Sequence, residues 1–319
     1  MRHPHVTDPD REVAGSGRLP PLLAIAHGSR DPRAAAAVTD LLGLVRGRSA
    51  RQGLPGLEVV TAYLDHAPPS PAQVLAALYG SEGPAWADPA ALAGPVSLAD
   101  PVPLGDPVPL ACRTPLASRT PRANTVIALP LLLTDAYHSK TDIPSVLRTA
   151  AATLPGLRIG YGQTLGPHPL LIKAMERRLA QAGVRVGDPD TAVVIAAAGS
   201  TDQDATAVIS RLATQWHVLR GWRDVVPAFA SAASPSPADA IAALRARGAR
   251  TVVVASYLLA PGVFADKVRA TSLAAGAAAV SGVLGAAPEL ADLVLRRYAA
   301  SVTTTRPARQ AGIPLRNLA

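Results

Sequence analysis

The chain has 319 residues, 49% of them hydrophobic and only 3% aromatic, so cores for two domains are within reach and must be packed with Ala, Val and Leu. A formal net charge of +8 favours an anionic partner, but the basic residues are scattered, without a Lys/Arg run or interleaved aromatics, which argues against nucleic acid. No apolar run approaches the ~18 residues of a membrane span, the opening segment lacks the apolar stretch of a signal peptide, and a single cysteine, Cys112, rules out an intramolecular disulfide, so cytoplasm is the expected compartment.

Along the chain, a polar tail (1–19) carries His3 and His5, for which no function is evident. Short apolar runs bounded by turn residues then predict strands at 21–26, 57–64, 125–133 and 158–161, with helical patterns at 34–46, 71–79, 143–152 and 169–182. The stretch 80–122 is rich in proline and holds the near-repeats ADPVPL and GDPVPL. Proline fixes φ and lacks a donor, so this stretch reads as an irregular loop, a linker in preference to a lid. Further strands are expected at 192–197, 224–229, 251–259 and 279–283, with His217 in a helix-to-loop stretch and a tail at 303–319. Strands without polar alternation are buried on both faces, and alternating β and α elements imply parallel pairing. The predicted class is α/β, in two similar domains, each a mostly parallel sheet of about four strands flanked by helices.

The chain also repeats itself. Ala26-His27-Gly28-Ser29-Arg30-Asp31 matches Ala197-Ala198-Gly199-Ser200-Thr201-Asp202, and Val59 to Tyr63 matches Val225 to Phe229. The segment TVIALPLLLTDAYH ending at His138 matches TVVVASYLLAPGVF ending at Phe264, and Leu165-Gly166-Pro167-His168-Pro169 matches Leu284-Gly285-Ala286-Ala287-Pro288. The spacing between copies shrinks by about 40 residues between the second and third blocks, which places the proline-rich stretch as an insertion in the first copy. The expected domains are 20–186 and 187–302.

Duplication acts as an internal control, because both copies need structural residues and only a reactive copy needs reactive ones. The Gly-Ser after the first strand, Asp31/Asp202 and Pro169/Pro288 persist. His27, His66, His138 and His168 face Ala198, Ala232, Phe264 and Ala287, and Asp65 faces Ser231. In parallel α/β sheets ligands sit beyond the carboxyl ends of the strands, a rule that selects His27, Asp65, His66 and residues 134–138. Taken singly, His27 could be a capping or core histidine, and His66 and His168 read equally well as neighbours of turn prolines. The pairing of His27 with His138 on adjacent strand ends favours chemistry. Gly28-Ser29 could cradle a phosphate, but it lacks the third glycine of a dinucleotide site and the lysine of a P-loop.

LLAIAHGSRDPRA and PLLLTDAYHSKTDIP resemble the two histidine motifs of the sirohydrochlorin cobalt/ferrochelatases, the class II tetrapyrrole chelatases, and TAYLDHAPPSPAQVLAAL resembles their acidic segment. The likeness covers most of 20–300 and fits long members with a degenerate second copy. It implies ATP-independent insertion of Fe2+ or Co2+ into sirohydrochlorin, or a related anionic tetrapyrrole, for sirohaem or cobalamin synthesis. The metal (Fe2+, Co2+ or Ni2+) would be a substrate, with no permanently bound cofactor. His27 would be proton acceptor and metal ligand, and His138 the second ligand. Asp65 stands where the family usually has Glu. Leu133, Thr134, Asp135, Ala136, Tyr137, Ser29, Arg30 and His66 would contact the substrate, with Arg30, Arg33 and Lys140 either drawing in its carboxylates or serving as solvated charges at helix starts. A non-catalytic metal or tetrapyrrole carrier on the same fold is the alternative. The two copies could pack as a pseudo-dimer in a monomer, or the chain could form a homodimer.

Overall fold

The computed structural model of the chain describes residues 19–80, 123–135 and 137–305. Each half is a βα repeat. The first half runs β1 (Leu22–Ala26), α1 (Pro32–Ser49), β2 (Val59–Tyr63), α2 (Pro71–Tyr79), β3 (Thr125–Pro130), a π-helical turn (His138–Asp142) leading into α3 (Ile143–Ala152), β4 (Arg158–Tyr161) and α4 (Pro169–Gln181). The second runs β5 (Thr191–Ala197), α5 (Gln203–Arg220), β6 (Asp224–Phe229), α6 (Pro237–Ala246), β7 (Thr251–Tyr257), α7 (Val263–Ala274), β8 (Ala279–Val280) and α8 (Pro288–Thr305).

Among the described residues all strand pairings are parallel, and the two four-stranded sheets have matching orders, β2-β1-β3-β4 and β6-β5-β7-β8. This is the α/β architecture that the alternating pattern predicts. β3 is shorter than expected because the chain leaves the sheet after Pro130. The amide of Leu131 still bonds to the Ile25 carbonyl, whereas the Leu132 carbonyl accepts from Leu165 N and the Leu133 carbonyl from the Tyr257 hydroxyl. β7 and β8 likewise stop at Tyr257 and Val280, short of the expected ends. His217 lies inside α5, not at a helix-to-loop junction: the helix continues to Arg220 and is terminated by Gly221, which adopts the left-handed conformation at the cap.

Because successive strand residues point to opposite faces, each sheet feeds two cores. Leu22 and Ala24 of β1 and Val193 and Ile195 of β5 enter one core shared by both halves. Leu23 and Ile25 face an outer core closed by Val74 and Leu75 of α2 and Ile143 and Leu147 of α3. Val194 and Ala196 face its counterpart, closed by Ile241 and Leu244 of α6 and Val268 of α7. The shared core holds α1, α4, α5 and α8, and here the halves exchange their last helices. α8 packs on β3 and β4 of the first half, while α4 packs on β7 of the second. Buried Glu176 of α4 accepts from Trp216 Nε1 at 3.0 Å and pairs with Arg220 at 2.6 Å, both on α5, so the exchanged helix is tied down by a charged pair as well as by apolar burial.

The helix starts repeat as closely as the sheets. Asp31 caps α1 and Asp202 caps α5, each carboxylate accepting backbone N–H bonds of the first turn, while Ser70 with Gln73 and Ser236 with Asp239 form capping boxes on α2 and α6. Among the described residues no helix is long and apolar enough to cross a membrane.

Candidate functional site

His27 is the first residue beyond β1. The chain can turn there because Gly28 holds φ at 95°, and a Cβ on Gly28 would run into the Asp65 carbonyl. Asp65 N in turn bonds to the His27 carbonyl at 2.9 Å, so the β2 loop presses directly on the β1 turn. The second half repeats the device with Gly199, also at 95°, against the Ser231 carbonyl. The backbone slot of His27 therefore survives at Ala198 without the imidazole.

His138 opens the π-helical turn before α3. Its Nδ1 lies 2.6 Å from Asp142 Oδ2, one turn along. Ser139 donates to Asp135 at 2.6 Å, and the Tyr161 hydroxyl donates to the Ser139 carbonyl at 2.8 Å. Burial, with the nearby Asp135 charge adding to it, pushes the Tyr161 hydroxyl up to about 12, so it remains a protonated donor holding this turn.

The two turns bring the imidazoles together. The His27 and His138 ring centroids are 4.7 Å apart and nearly perpendicular, at 85°. His66 stands 6.3 Å from His27 and adopts a left-handed φ of 63°; Ala232 does the same at 57° in the second half. All three histidines line one cleft of about 950 Å³ between the halves. Its first-half wall also includes Ser29, Arg30, Leu133, Thr134 and Tyr137, and its second-half wall includes Ala198, Ser200, Tyr257, Leu259 and Phe264. Tyr257 is fully buried, which raises its pKa, and its hydroxyl donates 2.9 Å across the halves to the Leu133 carbonyl.

Other predicted residues fall elsewhere. Asp65 is exposed and does not line the cleft; its carboxylate accepts from its neighbour's amide, His66 N, at 2.8 Å and lies 3.5 Å from His66 Nε2. Asp135 acts on Ser139 and is not part of the lining. Ala136 and the proline-rich insertion beyond Gly80 lie outside the described residues. His168 is the N-cap of α4, its Nδ1 accepting from Leu170 N at 3.1 Å. Arg33 and Lys140, expected as capture charges or solvated charges, are exposed and each is held in an ion pair: Arg33 pairs with Asp31 and with Asp266 of α7, both at 2.6 Å, and Lys140 with Asp202 at 3.1 Å. The Arg33–Asp266 and Lys140–Asp202 contacts cross between the halves. Arg30 stays exposed on the cleft wall with no carboxylate partner among the described residues.

The sequence reading missed Asp142, whose signal was its position four residues after His138, one helical turn away. It also missed the second-half wall, because matched positions reveal lost groups but not the face that replaces them.

Chemically, two imidazoles at this distance can hold a divalent ion through one ring nitrogen each. Among the described residues no group of three or more His, Cys, Asp or Glu converges to close a metal shell. A pair of ligands leaves coordination positions for incoming donors, unlike the four-ligand cage of a structural site.

Comparison with known proteins agrees with the fold. The CbiX family model matches residues 21–83, 116–182 and 192–301. A sirohydrochlorin ferrochelatase of Bacillus subtilis is 28% identical over 146 residues, 46% of this chain and 55% of that protein. A sirohydrochlorin cobaltochelatase of Priestia megaterium is 27% identical over 143 residues, 44% of this chain and 47% of that protein. The alignments thus span about half the length of these curated relatives. The solved structure of SirB from Bacillus subtilis with Fe3+ superposes with a TM-score of 0.64 at 20% identity, over 89% of this chain and 95% of that one, and shares the fold. With matched segments that cover most of the chain and both of its halves, the chain belongs to the CbiX family.

Proposed function

We propose that this chain inserts a divalent metal, Fe2+ or Co2+, into sirohydrochlorin without ATP, and that the reaction takes place at His27 and His138. The observation that carries the reading is the 4.7 Å edge-to-face pair of imidazoles at the strand ends of one half, open to a cleft whose other wall comes from the second half. The names of the relatives support the substrate class: they are sirohydrochlorin ferrochelatases and a cobaltochelatase.

Metal insertion displaces two pyrrole N–H protons as the metal binds the macrocycle nitrogens. A neutral imidazole can accept one of them, and His27 takes that role, the other proton leaving to solvent. His138 is the second transient ligand. Its Nδ1 is held by Asp142, which leaves Nε2 to face the cleft chemistry. Arg30, the exposed cation of the cleft wall, meets a substrate carboxylate, and His66 and Tyr137 contact the macrocycle. The second half carries no equivalent pair, since Ala198 and Phe264 stand at the matched positions, so each chain has one active centre.

The test is a visible-absorbance assay with sirohydrochlorin and Co2+, or anaerobic Fe2+. Multiple turnovers are expected, with His27→Ala and His138→Ala each lowering kcat by about 100-fold or more. A single stoichiometric binding event without turnover would instead identify a metal or tetrapyrrole carrier.

A further inference from the structure

The repeat exposes an asymmetry in how the two halves treat the cleft. At the positions of His27, His66 and His168 the second half has alanine; at the position of His138 it has Phe264. Loss of a ligand alone needs nothing larger than alanine. Phe264 is nevertheless 46% exposed, and Val263 beside it 80% exposed. Both line the cleft, as does Tyr137, 63% exposed, which occupies the position matched to Val263. Large apolar side chains left in water at the rim of a cleft mark a surface that a ligand covers.

We propose that Phe264, with Val263 beside it, is the platform on which one face of the tetrapyrrole rests, while His27 and His138 address the opposite face. This inference rests on the metal-insertion reading above. A metal enters a macrocycle along the normal to its plane, so one face must meet the imidazoles and the other must be supported by a group that does not ligate metal. A phenyl ring stacks on a conjugated plane through dispersion and its quadrupole, and offers no lone pair. An imidazole at 264 would place a competing ligand on the far face. The degenerate half is thereby a positioning surface for the substrate as well as a structural partner, and Phe264, standing where the first half has His138, is what makes the cleft one-sided.

The experiment combines titration of metal-free sirohydrochlorin, followed by its own fluorescence, with steady-state kinetics on the full chain. Phe264→Ala is expected to raise both the Kd for sirohydrochlorin and its KM by about five- to tenfold, from the loss of stacked apolar area. KM for Co2+ and kcat should stay within about twofold of wild type, and Phe264→Trp should restore tight binding. Val263→Ser, at a position too exposed to support the core, should shift the same two constants in the same direction by a smaller factor, which keeps the test decisive should Phe264→Ala unfold. Unchanged Kd and KM in both variants, or a change confined to the Co2+ KM, would overturn the platform while leaving metal insertion standing. A wild-type chain that neither binds nor metallates sirohydrochlorin would overturn both.

Discussion

The Nδ1 of His138 sits 2.6 Å from Oδ2 of Asp142, four residues further along the π-helical turn. A carboxylate on one ring nitrogen fixes the tautomer and aims the other nitrogen, and such partners of metal-binding histidines are worth about 10- to 100-fold in affinity or activity. Asp142→Asn keeps a hydrogen-bonding group without the charge, whereas Asp142→Ala removes both. In the proposed reaction Asp142→Ala should therefore raise the KM for Co2+ by about tenfold or more, with Asp142→Asn intermediate, and the sirohydrochlorin KM should move little. Equal activity of Asp142→Ala and wild type across a Co2+ titration would remove Asp142 from the account.

Gly28 and Gly199 offer a comparison within one molecule. Both hold φ at 95° and both lie where a Cβ would strike a backbone carbonyl, that of Asp65 or of Ser231. Neither obstacle is a flexible side-chain tip, so the loop itself must move. Gly28→Ala and Gly199→Ala should each destabilise the fold by about 3 kcal/mol, measured by urea denaturation. Near-equal losses are expected, because the turn is structural in both halves. A loss at Gly28 alone would mean that its conformation is held by the active site and not by the repeat.

Much of this was legible in the sequence because it is local or repeated. Apolar runs bounded by turn residues located the strands of both sheets, while the caps Asp31, Ser70, Asp202 and Ser236, which mark helix starts by side-chain chemistry, went unread. The proximity of His27 and His138 followed from parallel topology, since both sit past the carboxyl ends of neighbouring strands β1 and β3. Exchange of α4 and α8 between the halves was not legible. Their apolar faces are the same whichever sheet they cover, and only the three-dimensional path decides that Leu171 and Met175 share a core with Val253. The fate of Arg33 and Lys140 was hidden for a similar reason: each pairs with an aspartate far along the chain, on the other half.

Those two pairs lie at matching places in the repeat with the sign reversed, though on the Lys140 side the bonded aspartate is Asp202, two residues before the position matched to Arg33. Arg33 and Asp204 occupy matched positions at the starts of α1 and α5, and Lys140 and Asp266 matched positions after β3 and β7. Arg33 bonds to Asp266, while Lys140 bonds to Asp202 and also feels the Asp204 charge. Each thus joins the halves beside the cleft, and each is solvent-exposed and open to screening. Asp266→Asn and Lys140→Gln should lower Tm modestly at low ionic strength, and the difference from wild type should vanish near 1 M salt, where the Debye length is about 3 Å. A deficit in Tm that persists at high salt would assign these side chains a packing role instead.

His168 gives the fold a pH dependence with a definite sign. Burial, reinforced by the positive charges of Arg297 and Arg296, lowers its pKa from 6.5 in the folded chain. Its Nδ1 accepts the Leu170 amide as the cap of α4, a role that only the unprotonated nitrogen can fill. The unfolded chain therefore takes up the proton first as pH falls, so the stabilisation is complete above the unfolded pKa and is lost as pH drops towards the folded value. Denaturation midpoints should decline as pH falls below about 6.5, and part of that decline should disappear in His168→Asn, which keeps a capping acceptor that does not titrate. A midpoint whose pH profile is identical in the variant and in wild type would show that the α4 cap does not report on this histidine's charge.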